Sequence, residues 1–129
     1  MSMTRTSDPA ADRASSSAAP ATVGQAIRRH AELRPKQSAI VGSGFDALSF
    51  RSLQDEIDAA RKSLREAGFG RDARIAVAIA NSAQAARAII AVTCSAVAVP
   101  IDPKLTVAEV ERCLLILRPS AVMVLGKTE

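Results

Sequence analysis

Few residues in this chain could do chemistry. There is one histidine, His30, and there are two cysteines, Cys94 and Cys113, far apart and in no CxxC pair. A zinc site needs about four ligands at close spacing, and this inventory does not supply them. A thiol or imidazole mechanism needs a nucleophile and a base side by side. His30 falls at the end of a helix-like stripe with no such neighbour, so a packing role is expected for it. Both thiols are expected reduced and mostly buried. Gly42-x-Gly44 has the look of a phosphate loop, but the next helix signal comes only after a second strand. No helix N-terminus is then presented to a phosphate, and a hairpin turn is expected instead.

The remaining side chains are scaffold, and the scaffold centres on residues 75–103. Ile75, Val77 and Ile79 alternate with alanines, so both faces of this run are apolar or small. That marks a central strand of a covered parallel sheet. Asn81-Ser82 interrupts the run, and Ser82 can cap a helix over residues 83–94 whose only charge is Arg87. Such a helix is packed between other elements. Val97-Ala98-Val99 is a second short strand, ended by Pro100, which donates nothing to a ladder. Strand, helix and strand with short connections form a right-handed parallel crossover.

Layers are added on either side. Residues 1–21 are rich in Ala, Ser, Asp and Pro and are expected to be a disordered tail. Thr22 is a candidate cap for a helix carrying Val23, Ala26, Ile27, Ala31 and Leu33, stopped by Arg34-Pro35. Ser38 to Val41 and Ala47 to Phe50 read as a hairpin. Ser52 to Asp55 resembles a capping box, followed by an apolar stripe of Leu53, Ile57, Ala60, Leu64 and Ala67. Asp55, Glu56, Asp58, Arg61, Lys62, Arg65 and Glu66 are expected to form a solvated face, and Gly68 the left-handed end. Thr106 and Glu109 make a fuller capping box, with Val107, Val110, Leu114 and Leu117 on one face of the helix that Arg118-Pro119 closes. Ala121 to Leu125 is a last strand. The fold class is therefore α/β: a partial doubly wound, mainly parallel sheet flanked by helices, preceded by a short hairpin and a tail.

Composition bounds the partners. Of 129 residues, 48% are apolar, enough for one core. The net charge of +4 comes from basic residues spread through the chain, with no Trp, no Tyr and three dispersed Phe. Nucleic acid would want a basic stripe and stacking rings, so it is not expected as a partner. The apolar stretch after Arg87 runs for about fourteen residues, short of the roughly twenty that span a bilayer. The start of the chain lacks the apolar core of a signal peptide, and Asp8 and Asp12 do not suit a mitochondrial presequence. A cytoplasmic protein is expected, with no membrane partner.

Several phrases, in order, resemble the N-terminal segment of the adenylate-forming, AMP-binding superfamily. They are Ala47-Leu48-Ser49-Phe50 with Leu53; Leu64-Arg65-Glu66-Ala67-Gly68; Arg74-Ile75-Ala76-Val77; Asn81-Ser82; and Ala98-Val99-Pro100-Ile101-Asp102-Pro103. The resemblance spans residues 22–129. Asp72-Ala73 stands where the family has Gly-Asp, Ala83 follows Asn-Ser in place of proline, and Ser95-Ala96 replaces a glycine. The resemblance implies an ATP-dependent ligase that forms an acyl-adenylate and passes it to a thiol, with ATP, Mg²⁺ and coenzyme A as cofactors. The family's phosphate loop, adenine and magnesium motif, ribose aspartate and C-terminal lysine do not occur here. Lys127 does not replace that lysine. No catalytic, cofactor-binding or metal residue is therefore assigned. These residues are read as the N-terminal sheet subdomain of an acyl-CoA ligase, inactive alone. Uncovered sheet faces would meet the remainder of the ligase or another copy. A peptide-synthetase adenylation domain, or a non-catalytic interaction module, are the alternatives.

Overall fold

The computed structural model describes residues 19–126. The tail expected over residues 1–21 lies outside this range except for its last three positions, and so does Lys127.

Helix α1 spans Val23–Leu33, capped by Thr22, whose hydroxyl accepts from Gln25 N–H. Ile27 and Ala31 are buried, whereas Val23 and Leu33 are exposed and drop out of the expected stripe. Both sit at the ends of the helix, past the element it packs on. Strands β1 (Ser38–Gly42) and β2 (Phe45–Ser49) pair antiparallel as the expected hairpin. Gly44 takes φ +66° in its turn, the left-handed region that glycine enters without strain.

Helix α2 (Phe50–Glu66) begins three residues earlier than a Ser52 cap would allow. Ser49 is the cap: its Oγ accepts from Ser52 N–H at 3.1 Å. The strand runs straight into the helix, so the first hydroxyl after Leu48 takes the role and Ser52 becomes its donor. Gly68, at φ +85°, ends this segment as expected.

Strand β3 (Arg74–Val77) is followed by α3 (Ala83–Thr93) and β4 (Val97–Pro100), then by α4 (Val107–Leu117) and β5 (Ala121–Met123). The sheet order is β4-β3-β5 and both pairings are parallel. The crossover from β3 to β4 and the one from β4 back past β3 to β5 run in opposite directions along the sheet, so right-handed connections place α3 and α4 on opposite faces. Strand β5 stops at Met123, two residues short of the apolar run. Thr106 and Glu109 form the reciprocal capping box expected of them.

Helix α3 lies between two cores. One joins Ile27, Ile40, Leu53, Ile57, Ala91 and Cys94. The other joins Ile75, Val77, Ile79, Ala85 and Val92, with Leu64, Ala98, Ala121 and Met123 against them. Both faces of α3 are therefore spent on packing, which is why its composition is apolar nearly all round. Gly42 makes this close approach possible: a Cβ there would lie 2.8 Å from Ala83 Cβ at the first turn of α3.

Helix α4 differs. It has no buried residue, and Val107, Leu115 and Ile116 are exposed together with Val122, Val124 and Leu125. Val107 thus leaves the face expected of it; Val110, Leu114 and Leu117 stay half-buried.

Gly42→Ala forces β1 and α3 apart and should cost about 1–3 kcal/mol, as overpacking does. Ser43→Ala, in the exposed turn beside it, should leave the urea midpoint unchanged. Equal midpoints for the two variants would contradict the close approach. Glu109 accepts from Thr106 backbone N–H and hydroxyl, and these bonds hold its carboxyl below its usual value of 4.5. Its contribution is present above that value and lost as pH falls through the lower folded value. Glu109→Gln should therefore flatten the acid limb of a pH–stability curve and leave the alkaline limb as it was.

Candidate functional site

In an open parallel sheet a ligand meets the chain at the carboxyl ends of the strands, where the strand order reverses. Here the order reverses at β3, so the switch point lies between β3 and β5. Three segments leave this edge: residues 78–82 after β3, 101–105 after β4 and 124–126 after β5. They are tied to the sheet. Ala78 N–H donates to Met123 C=O at 2.9 Å, and Ile101 N–H to Val77 C=O at 3.0 Å.

The polar side chains on this rim are Asn81, Ser82, Asp102 and Lys104, all exposed. Two of them serve local backbone. Ser82 Oγ accepts from Ala85 N–H and donates to Ala80 C=O, capping α3. Asp102 Oδ1 accepts from Lys104 N–H at 2.9 Å, an Asx turn that sends the chain toward α4. The rim can orient a ligand through Asn81 and Lys104. Among the described residues no three His, Cys, Asp or Glu side chains gather to hold a metal ion.

The residues singled out for chemistry are kept apart. The His30 ring stacks on Phe50 with centroids 4.9 Å apart. Its Nδ1 is buried without a partner. The ring thus packs α1 onto the start of α2. Cys94 is buried in the α1–α2–α3 core, and burial pushes its thiol pKa up while Arg61 pulls against that shift. Cys113 is half-buried on α4, and neither thiol is in a disulfide. Gly42-x-Gly44 makes the hairpin turn, as expected, but Gly42 also packs against Ala83 in the first turn of α3, a helix start that the order of elements along the chain did not place there.

The expected solvated face of α2 is corrected at two positions. Glu56 pairs with Arg87 of α3. Arg61 donates from its guanidinium to Cys94 C=O at the end of α3, at 3.2 Å. Helix α3 presents one cation and a free C-terminal carbonyl toward α2, and the nearest charged side chains answer both. Spacing within α2 shows which residues share its outer face. It does not show that another helix lies against the edge of that face.

Basic residues that are scattered in the sequence are also gathered. Arg28 of α1, Arg61 and Arg65 of α2 and Arg71 of the turn before β3 line one cleft of about 640 Å³. It sits at the amino ends of the strands, opposite the rim, with Thr22, Phe69, Cys94 and Ser95 in its wall. Arg61 and Arg65 lie one turn apart on α2, but no period relates them to Arg28 or Arg71, so no pattern in the sequence announces the cluster.

The sequence profile of the AMP-binding enzyme family matches residues 27–129. The chain belongs to that family. Among curated proteins none matches. Solved structures share the fold. A putative long-chain fatty-acid CoA ligase of Rhodopseudomonas palustris superimposes with a TM-score of 0.72 at 25% identity, over 80% of this chain and 26% of its own. A fatty acyl-CoA synthetase of Mycobacterium tuberculosis gives 0.69 at 23% identity, over 78% of this chain and 20% of its own. A four-domain nonribosomal peptide synthetase, bound to AMP and glycine, gives 0.68 at 20% identity, over 78% and 8%. The chain thus spans about a quarter or less of the length of these proteins. No described helix is long and apolar enough to cross a membrane.

The two thiols should react in order of exposure. A disulfide reagent should modify Cys113 in the native protein well before Cys94, whose burial disfavours the thiolate. Cys113→Ala should remove the fast phase. A fast phase that survives this substitution would place Cys94 at the surface instead.

Proposed function

We propose that these residues form the N-terminal sheet subdomain of an acyl-CoA ligase. Such an enzyme activates a carboxylate with ATP and passes the acyl-adenylate to coenzyme A. The observation that carries this reading is the family match over residues 27–129 together with the β4-β3-β5 parallel sheet. Likeness to a fatty acyl-CoA synthetase and to a fatty-acid CoA ligase supports the acyl-CoA branch. The nearly equal likeness to a nonribosomal peptide synthetase supports an adenylation domain as the second reading. In both, this sheet is scaffold: it sets the floor of the carboxyl-end crevice, and residues elsewhere supply the phosphate and metal contacts. Alone, the subdomain is inactive.

The exposed apolar surface of α4 and β5 fits this role. Leu115 and Ile116 are 76% and 70% exposed, and Val124 and Leu125 also face solvent. A helix apolar on both sides is normally covered on both. In our reading the rest of the ligase covers it.

Acid-dependent ATP–pyrophosphate exchange by the whole enzyme tests the reaction class. Fatty acids, aryl acids and amino acids would be offered in turn, with coenzyme A added to detect the thioester. Exchange with a fatty or aryl acid and thioester formation are expected. Exchange with amino acids alone would move the protein to the peptide-synthetase branch, and no exchange with any acid would remove the ligase reading. The 129-residue chain by itself is expected to exchange nothing.

A further inference from the structure

The geometry points to a second binding site on this subdomain: the arginine-lined cleft at the amino ends of the strands takes a small phosphate-bearing anion. Four guanidinium groups, from Arg28, Arg61, Arg65 and Arg71, line it, and no carboxylate does. Its volume of about 640 Å³ falls within the usual range of small-molecule sites. Helices α1 and α2, the turn before β3 and the end of α3 each contribute a wall, so the cluster exists only in the folded chain.

Simple packing accounts for one of the four. Arg61 is committed to Cys94 C=O and lies 3.7 Å from Asp58. Arg28, Arg65 and Arg71 have no carboxylate partner among the described residues. Glu32, Asp55 and Asp58 line a separate cleft that shares only Arg28 with this one. Like charges converging on one cavity repel one another, and an anion between them removes that cost. Guanidinium forks match phosphate oxygens in pairs, which favours a phosphate over a carboxylate or a halide. The start of α1 adds to the same cleft. Val23 and Gly24 both line it, and their backbone N–H groups, in the first turn, have no intrahelical acceptor. Gly24 packs where a Cβ would meet Cys94 Sγ at 3.5 Å, which seats the helix start against the end of α3.

The cleft is separate from the carboxyl-end rim. Its Phe69, Gly70 and Arg71 precede β3, and its Thr93, Cys94 and Ser95 precede β4. The proposal therefore stands whichever branch of the family the whole enzyme belongs to. A small anion is favoured over nucleic acid because the cleft holds one aromatic residue, Phe69, packed into the sheet core, and no stacking platform for successive bases.

The test is calorimetric titration of the 129-residue chain at low salt with inorganic pyrophosphate, then with inorganic phosphate. One pyrophosphate per chain is expected, bound more tightly than phosphate and weakened by added salt. Arg28→Gln, Arg65→Gln and Arg71→Gln should each weaken pyrophosphate binding about tenfold, the scale of one charge-assisted bond. Arg51→Gln and Arg112→Gln, exposed arginines outside the cleft, should change nothing, and circular dichroism would confirm that all five variants are folded. Absence of binding at millimolar pyrophosphate would overturn the proposal. So would equal losses in the cleft and control variants, which would mean diffuse attraction to a basic chain. A single-stranded oligonucleotide that binds through the same three arginines and resists displacement by pyrophosphate would overturn it in favour of nucleic acid.

Discussion

The structure depends on burying one strand on both sides. Ile75, Ala76 and Val77 of β3 are 2%, 0% and 2% exposed. A backbone so buried must find all its hydrogen-bond partners within the protein, and parallel neighbours on both edges supply them. Residues 75–77 pair with residues 98–100 on one side and residues 121–123 on the other. The side chains then sort by face. Ile75 and Val77 meet Ala85 and Val92 of α3, and Ala76 turns to the opposite face. Shifting the register by one residue would exchange these faces and put isoleucine where alanine fits.

The rest is organised by how α3 is held over that strand. Its inner side packs on β3 and its outer side on α1, α2 and the hairpin. Two polar contacts fix its position against α2, one at its middle and one at its C-terminal end. The Glu56–Arg87 pair holds the middle. The bond from Arg61 to Cys94 C=O holds the end. These contacts are partly exposed, so they add modestly to stability and more to orientation. Gly42 acts by absence of a side chain, since any Cβ there would push the hairpin off the helix. Holding α3 in this way also brings the ends of α1, α2 and α3 together, and the arginine cleft forms among them. The packing of the core and the charge of that cleft are in this sense one arrangement.

The two sides of the sheet are treated unequally. On the α3 side the apolar residues are enclosed. On the α4 side a helix without a single buried residue lies beside an edge strand of three residues. The proposed reading accounts for this difference by a further part of the ligase on the α4 side.

The sequence by itself determined the order of elements, the parallel crossover and the family. These follow from short-range signals: alternation in β3, apolar residues all round α3, Ser82 and Thr106 as caps, and phrases such as Val99-Pro100-Ile101-Asp102. It also pointed to packing roles for His30 and the two cysteines, which have no partner within local spacing. The cap of α2 was misplaced because Ser49 and Ser52 both suit the role, and only the path of β2 into the helix chooses between them. Tertiary structure alone decided which charged residues of α2 turn inward, since Glu56 and Arg61 are answered by a helix about thirty positions away. It alone brought Arg28, Arg65 and Arg71 to one cleft. Periodicity relates residues within an element, whereas a site assembled from three elements and a turn exists only once long-range packing has placed them.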